Sequence, residues 1–241
     1  MIAADQASAD SVIGSLQGAF EDKKTKGVVL RINSPGGSPV QAGQIYDEIK
    51  RLRALHPKIP LYAVVDDICA SGGYYVAVGA DKIFVDKASI VGSIGVLMDG
   101  FGFTQTMEKL GVERRLLTAG ENKGFLDPFS PVDPEQQAFA KQMLEEIHGQ
   151  FISVVREGRG KRLKETPETF SGLVWSGEKS IELGLADGLG SVESVARDVI
   201  KAEDIVDYTQ QASFAERLAG RLGASMAQAW SPFEKAGVSL R

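Results

Sequence analysis

Three short apolar runs constrain this chain most: GVVLRI at 27–32, PLYAVV at 60–65 and KIFVD at 82–86 are separated by helix-periodic sequence. Ala42, Ile45, Ile49 and Leu52 repeat at helical spacing between the first two runs. The third follows SGGYYVAVGA, which opens on a strand-to-helix junction at Ser71. Strand and helix in alternation predict an α/β fold with a largely parallel core, in which β-to-α junctions gather at one end of the strands and form the usual place for a site. Further along, SIVGSIGVLM (89–98) and ERRLLTA (113–119) read as strands, with a helix near 104–110 between them. A helix of about six or seven turns starts at DPEQQ and carries Phe139, Met143, Ile147, Phe151 and Val155 on one face. Residues 170–191 then give a short strand, a short helix and a Gly-rich turn.

The ends are helical by pattern. Val12, Leu16 and Phe20 lie four apart, with Ser8 or Asp10 as the cap of an opening helix. Phe214, Leu218, Leu222, Met226 and Trp230 make the same stripe in a C-terminal extension over 207–241. No linker or repeat divides the 241 residues, so the chain reads as one domain.

Composition narrows the chemistry. The net charge of −5 offers no basic face for phosphates, which argues against a nucleic-acid partner. One cysteine, Cys69, excludes an internal disulfide and a multi-thiolate metal site, and the only histidines, His56 and His148, lack ligand spacing. No metal or cofactor is expected. Cys69 is read as a small buried packing residue, and Asp66 and Asp67 as shapers of a turn.

With histidine this scarce, a nucleophile needs another base. A serine hydroxyl is weak at neutral pH and is activated by histidine or, less often, by lysine. Ser71, at the start of a helix, would project its oxygen where free N–H groups favour developing negative charge, and Gly72 and Gly73 clear the approach. The same S-G-G also suits a tight helix start with no chemistry. NSPGGSP (33–39) ends the preceding strand and offers the N–H of Gly36 or Gly37 to an oxyanion, or is a plain Pro-Gly turn. A base lysine must shed its proton from an ordinary pKa of about 10.4, which requires exclusion of water. Lys123, in TAGENKGFLDPFSP beside Gly124, Phe125 and Leu126 rather than in a charge run, is the candidate, although most lysines are solvated surface residues.

INSPGG after a strand, DDICASGGYYVAVGADKIFVD, SIVGSIGV, the lysine in GENKGFLDPFSP, and GLVWSGEKSIELGLADGLG, in that order over about 27–191, resemble the signal peptide peptidase A family of bacterial serine proteases. The resemblance implies a Clp protease/crotonase-like fold with repeated β-β-α units and a Ser-Lys dyad. It places the nucleophile on Ser71, the general base on Lys123, and on Ser93 a hydroxyl that orients the lysine amine. Gly36 or Gly37 would supply one oxyanion donor and Gly72 the other. It implies peptide substrates, chiefly cleaved signal peptides, degraded at the outer (periplasmic) face of a bacterial cytoplasmic membrane, with small or apolar side chains preferred beside walls built by SIVGSIGV and PLYAVV. Family members carry a membrane anchor before the opening helix, so the chain is read as a soluble fragment without it. A single copy of the dyad motifs implies a homo-oligomer. Two rivals share the fold: a crotonase-type acyl-CoA enzyme, which would not need Ser71, and a non-catalytic assembly protein.

Overall fold

The computed structural model describes residues 7–210. Helix α1 (Ala9–Glu21) is capped by Ser8, whose hydroxyl accepts from the Ser11 N–H. Strand β1 (Val28–Ser34) leads through the SPGG turn into α2 (Pro39–Leu55), where Ser38 caps and Pro39 takes the first helical position that tolerates a missing N–H. Strand β2 (Leu61–Ala70) ends directly at Ser71, and α3 (Gly72–Ala77) follows. Then come β3 (Lys82–Val85), β4 (Ile90–Gly92), α4 (Thr104–Leu110) and α5 (Pro134–Arg159). Strand β5 (Val174–Ser176), α6 (Gly177–Glu182), β6 (Gly188–Leu189) and α7 (Val192–Ser194) complete the described elements, and a π-turn over Val195–Ile200 extends α7.

The ten-residue β2 organises the sheet because its two halves serve different neighbours. Its first half pairs in parallel with β1 on one side and β3 on the other, Tyr62 opposite both Val29 and Lys82. Its second half pairs with β4, Ala70 opposite Gly92. Strands β6 and β5 extend the sheet beyond β3 and β4, β5 running antiparallel. The change of partner coincides with a bulge: Ile32 faces Val65, but Ser34 faces Cys69, so β2 spends two more residues than β1. Asn33 spans the irregularity, donating to Asp67 at 2.8 Å and accepting from the Ile68 N–H at 3.3 Å, while Arg31 pairs with Asp66 at 2.7 Å. Asp66 and Asp67 therefore lie in a strand rather than the expected turn.

The core lies between the sheet and helices α1, α2, α3 and α5, with Leu61, Ala63, Val65, Cys69, Ile45, Ile49, Tyr74 and Val155 all buried. This burial corrects two expectations. Leu61, Ala63, Val64 and Val65 of PLYAVV are spent on the core, as are Val91 and Ile94 of SIVGSIGV, so PLYAVV does not wall a substrate cleft, while Ile90 of the second segment stays exposed. ERRLLTA forms no strand: it lies in an exposed arm spanning 99–133, where Leu117 is 96% exposed and α4 buries none of its residues. The β4 strand is also far shorter than 89–98, because Gly92 and Ser93 leave extended geometry with φ of 123° and 52°.

At the C-terminal side of the core, Arg159, 1% exposed, donates to the Gly184 carbonyl and pairs with Asp187 at 2.8 Å, tying the end of α5 to the approach to β6. Residues 207–210 form no helix; Tyr208 donates to Asp22 and the Gln210 N–H to Ser15, returning the chain to α1. The stripe expected at Phe214 to Trp230 lies outside the described residues. Among the described residues no helix is long and apolar enough to cross a membrane.

Candidate active site

Ser71 is the turn between β2 and α3, and it holds a left-handed backbone with φ 51° and ψ −124°. A non-glycine residue rarely adopts this conformation, and such strain concentrates where side-chain placement matters. The turn is fixed from both sides: the Ser71 N–H donates to the Gly92 carbonyl at 2.9 Å and its carbonyl accepts from Tyr75 at 3.0 Å. At the starts of α1, α2, α6 and α7 the capping serine spends its hydroxyl on a backbone N–H, whereas the Ser71 hydroxyl makes no cap bond. The residue is half-buried, and its hydroxyl has no hydrogen-bond partner among the described residues.

The SPGG turn lies directly on this serine. A Cβ at Gly36, whose φ is +116°, would sit 2.7 Å from Ser71 Cβ and 3.1 Å from the Gly72 nitrogen. A Cβ at Gly72 would meet the Gly37 nitrogen at 3.4 Å. Only glycines allow the two junctions to approach this closely. Gly36 is buried and its N–H donates to Ser34 Oγ at 3.2 Å, while Gly37 is exposed.

Ser93 follows Gly92 on β4, the strand beside the end of β2, and so stands next to Ser71. It too is left-handed, with its N–H bonded to the Leu173 carbonyl at 2.7 Å. Trp175 packs on Gly92, where a Cβ would lie 2.8 Å from the indole, and His148 on α5 bonds the Ile94 carbonyl at 3.1 Å. Leu173 and Val174, about half exposed, flank this segment with Leu97 and Met98. Ser71, Ser93, Gly36, Gly37 and Gly72 are thus assembled at the ends of adjacent strands.

Among the described residues Lys123 has no hydrogen bond or ion pair to that assembly. It is exposed on the arm, in a run of turns closed by bonds such as Lys123 N–H to Gly120 O, and among the described residues no hydrogen bond or ion pair engages its amine. The arm is braced internally, by Phe103 stacked on Phe129 and Arg114 paired with Asp127, and touches α5 through Phe125 on Phe139. Cys69, fully buried, has its thiol pushed up by burial and is no nucleophile. Ser34 is not a sequence-predicted site residue, although it lies inside NSPGGSP; its bonds to Gly36 appear only in the fold.

The model of the Clp protease family matches residues 2–90, the segment that carries β1, the SPGG turn, β2 and Ser71. The chain is 31% identical over 205 residues to a protein named putative signal peptide peptidase SppA of Enterococcus faecium, covering 85% of this chain and 59% of that one. It is 31% identical over 231 residues to a putative protease of Synechocystis, 89% of this chain and 82% of the relative. A Brucella melitensis protein named as a Na(+)/H(+) antiporter, NhaA, is 48% identical over 187 residues, 78% of this chain, but the chain spans only 25% of its length. The model of peptidase family S49 matches residues 53–206, nearly two thirds of the sequence, and the chain belongs to that family.

Proposed function

We propose that the chain is the catalytic unit of a serine endopeptidase in which Ser71 is the nucleophile and Lys123 of a neighbouring copy is the general base. The observation that carries the reading is the uncommitted Ser71 hydroxyl on a strained strand-to-helix turn, in contact with a glycine turn able to offer N–H groups. Ser71 Oγ attacks the scissile carbonyl and its proton passes to the lysine amine. The oxyanion is held by the N–H groups of Gly37 and Gly72. Gly37 is chosen over Gly36 because the Gly36 N–H is already bonded to Ser34. The protonated lysine then gives its proton to the departing amine, leaving an acyl-enzyme that water hydrolyses by the same route in reverse. Ser93, beside Ser71, orients the incoming amine.

A lysine acts as a base only where water is excluded from its amine. The exposed Lys123 meets that condition by docking against a second copy of the chain. The arm that carries it supports this reading, because it exposes several large apolar side chains, among them Phe101 (77%), Leu110 (72%), Leu117 (96%) and Val132 (71%), which a second copy could cover. The exposed Leu97, Met98, Leu173 and Val174 beside the site favour small or apolar side chains in the substrate. Cleaved signal peptides and other unfolded segments at a bacterial membrane fit that preference, and a relative named as a signal peptide peptidase supports it.

A serine-directed phosphonate tests the reading. Mass spectrometry is expected to place the adduct on Ser71 in the native assembly and to find none in Lys123→Ala. An adduct elsewhere, or equal labelling without the lysine, refutes the dyad.

A further inference from the structure

The structure assigns Ser34 a part in the reaction proposed above: we infer that its buried hydroxyl is the positioning residue that sets the oxyanion donor. Ser34 ends β1 and is 8% exposed. Its Oγ accepts the Gly36 N–H at 3.2 Å and donates to the Gly36 carbonyl at 3.3 Å, so one hydroxyl grips residue 36 at both polar atoms. The second bond governs the neighbouring peptide. In a trans peptide the C=O and the following N–H point in opposite directions, so holding the Gly36 carbonyl toward Ser34 aims the Gly37 N–H away from it. Both glycines have positive φ, 116° and 147°, and without such a brace the Gly36–Gly37 peptide is free to turn over, because glycine opposes few such rotations.

The second glycine of S-G-G makes room for the brace. A Cβ at Gly73 would lie 3.0 Å from the Ser34 carbonyl oxygen, 3.2 Å from its Cβ and 3.4 Å from its Oγ. Ser34 therefore sits between the two Gly-rich junctions, gripping one and packed on the other. An oxyanion donor contributes only while pre-aimed at the place where charge develops. Losing the brace disorders that aim without touching Ser71, Lys123 or the substrate side chains.

The inference rests on the proposed endopeptidase reading, and one set of measurements separates the two. In the assembled full-length protein, with a fluorogenic apolar tetrapeptide amide as substrate, Ser34→Ala is expected to lower kcat by about ten- to a hundred-fold with KM little changed. Affinity for a peptide aldehyde, which forms a tetrahedral adduct, should fall by the same factor, while affinity for the corresponding uncleaved peptide alcohol should not. Ser34→Thr, which keeps the hydroxyl, should restore most of the loss. Should Ser34→Ala fail to fold, Ser34→Cys retains the volume while weakening both hydrogen bonds, and the same fall in kcat is expected. Unchanged kcat and aldehyde affinity in the folded variant overturn the role of Ser34. A wild-type protein that neither cleaves peptides nor reacts with the phosphonate at Ser71 overturns the endopeptidase reading instead.

Discussion

Ser71 and Ser93 directly follow two adjacent parallel strands, each with a positive φ, 51° and 52°, and the Ser71 N–H is bonded to the residue just before Ser93. Two strained serines side by side do not arise from local preference, since each conformation is costly for a residue with a Cβ. The sheet imposes them: β2 bulges at Asp66–Asp67, takes β4 as its new neighbour, and both strands stop at the same level. The consequence is that the two serines stand at neighbouring strand ends, with the SPGG turn packed on Ser71.

Gly36→Ala should disrupt that packing while sparing the core. The added methyl would lie 2.7 Å from Ser71 Cβ at a φ of +116°, so either the turn or the serine must move. Peptidase activity is expected to fall by at least about a hundred-fold. Steady-state kinetics with a thermal melt check this, and near-native kcat would show that the turn does not need its present distance from Ser71.

Much of this was legible in the residues. SPGG and SGG could be placed at consecutive strand ends because an apolar run precedes each and a helical pattern follows. The 26-residue α5 and the short α4 were equally plain, from apolar periodicity and from Asp133-Pro134 at the start of the former. ERRLLTA misled because a short segment forms a strand only when a partner is present to complete it, and the arm meets none among the described residues. The bulge was hidden for a different reason: register belongs to a pair of strands, and Asn33, which bridges it, is 35 positions from the Ile68 N–H it accepts from. The exposure of Lys123 likewise could not be read from a spacing of motifs.

Asp187 should anchor stability. Burial raises its pKa, but the buried Arg159 guanidinium, the Ile83 N–H and Arg162 outweigh that and hold the carboxyl below the ordinary range. A depressed carboxylate stabilises the fold fully above its unfolded pKa, and the contribution is lost as pH falls through the folded value. Asp187→Asn leaves Arg159 charged and buried without its partner, and is expected to cost about 3–5 kcal/mol in denaturant melts at pH 7. The penalty should shrink toward acid pH, and a pH-independent difference would contradict the ion-pair account.

Cys69 should be inert. It is 0% exposed and burial raises its thiol pKa, so thiolate is scarce and unreachable. Iodoacetamide at pH 8 is expected to leave the folded protein unmodified and to label it stoichiometrically in denaturant. Rapid alkylation of native protein would mean that the end of β2 opens readily.

Leu117, 96% exposed on the arm, is expected to be covered in the assembly. Leu117→Glu should shift the mass seen by light scattering toward the monomer and lower peptidase activity in proportion, with the melt of the core unchanged. An unaltered mass would exclude this part of the arm from the contact.

The most direct measurement mixes two variants. Ser71→Ala and Lys123→Ala are each expected to be inactive alone. When the two are dissociated, combined in equal amounts and reassembled, random association joins an intact serine to a neighbour's intact lysine in about a quarter of the sites. Recovery of peptidase activity approaching that fraction is the result the account predicts. A mixture as inactive as its parents, at a mass showing full assembly, would contradict a base supplied by the neighbouring copy.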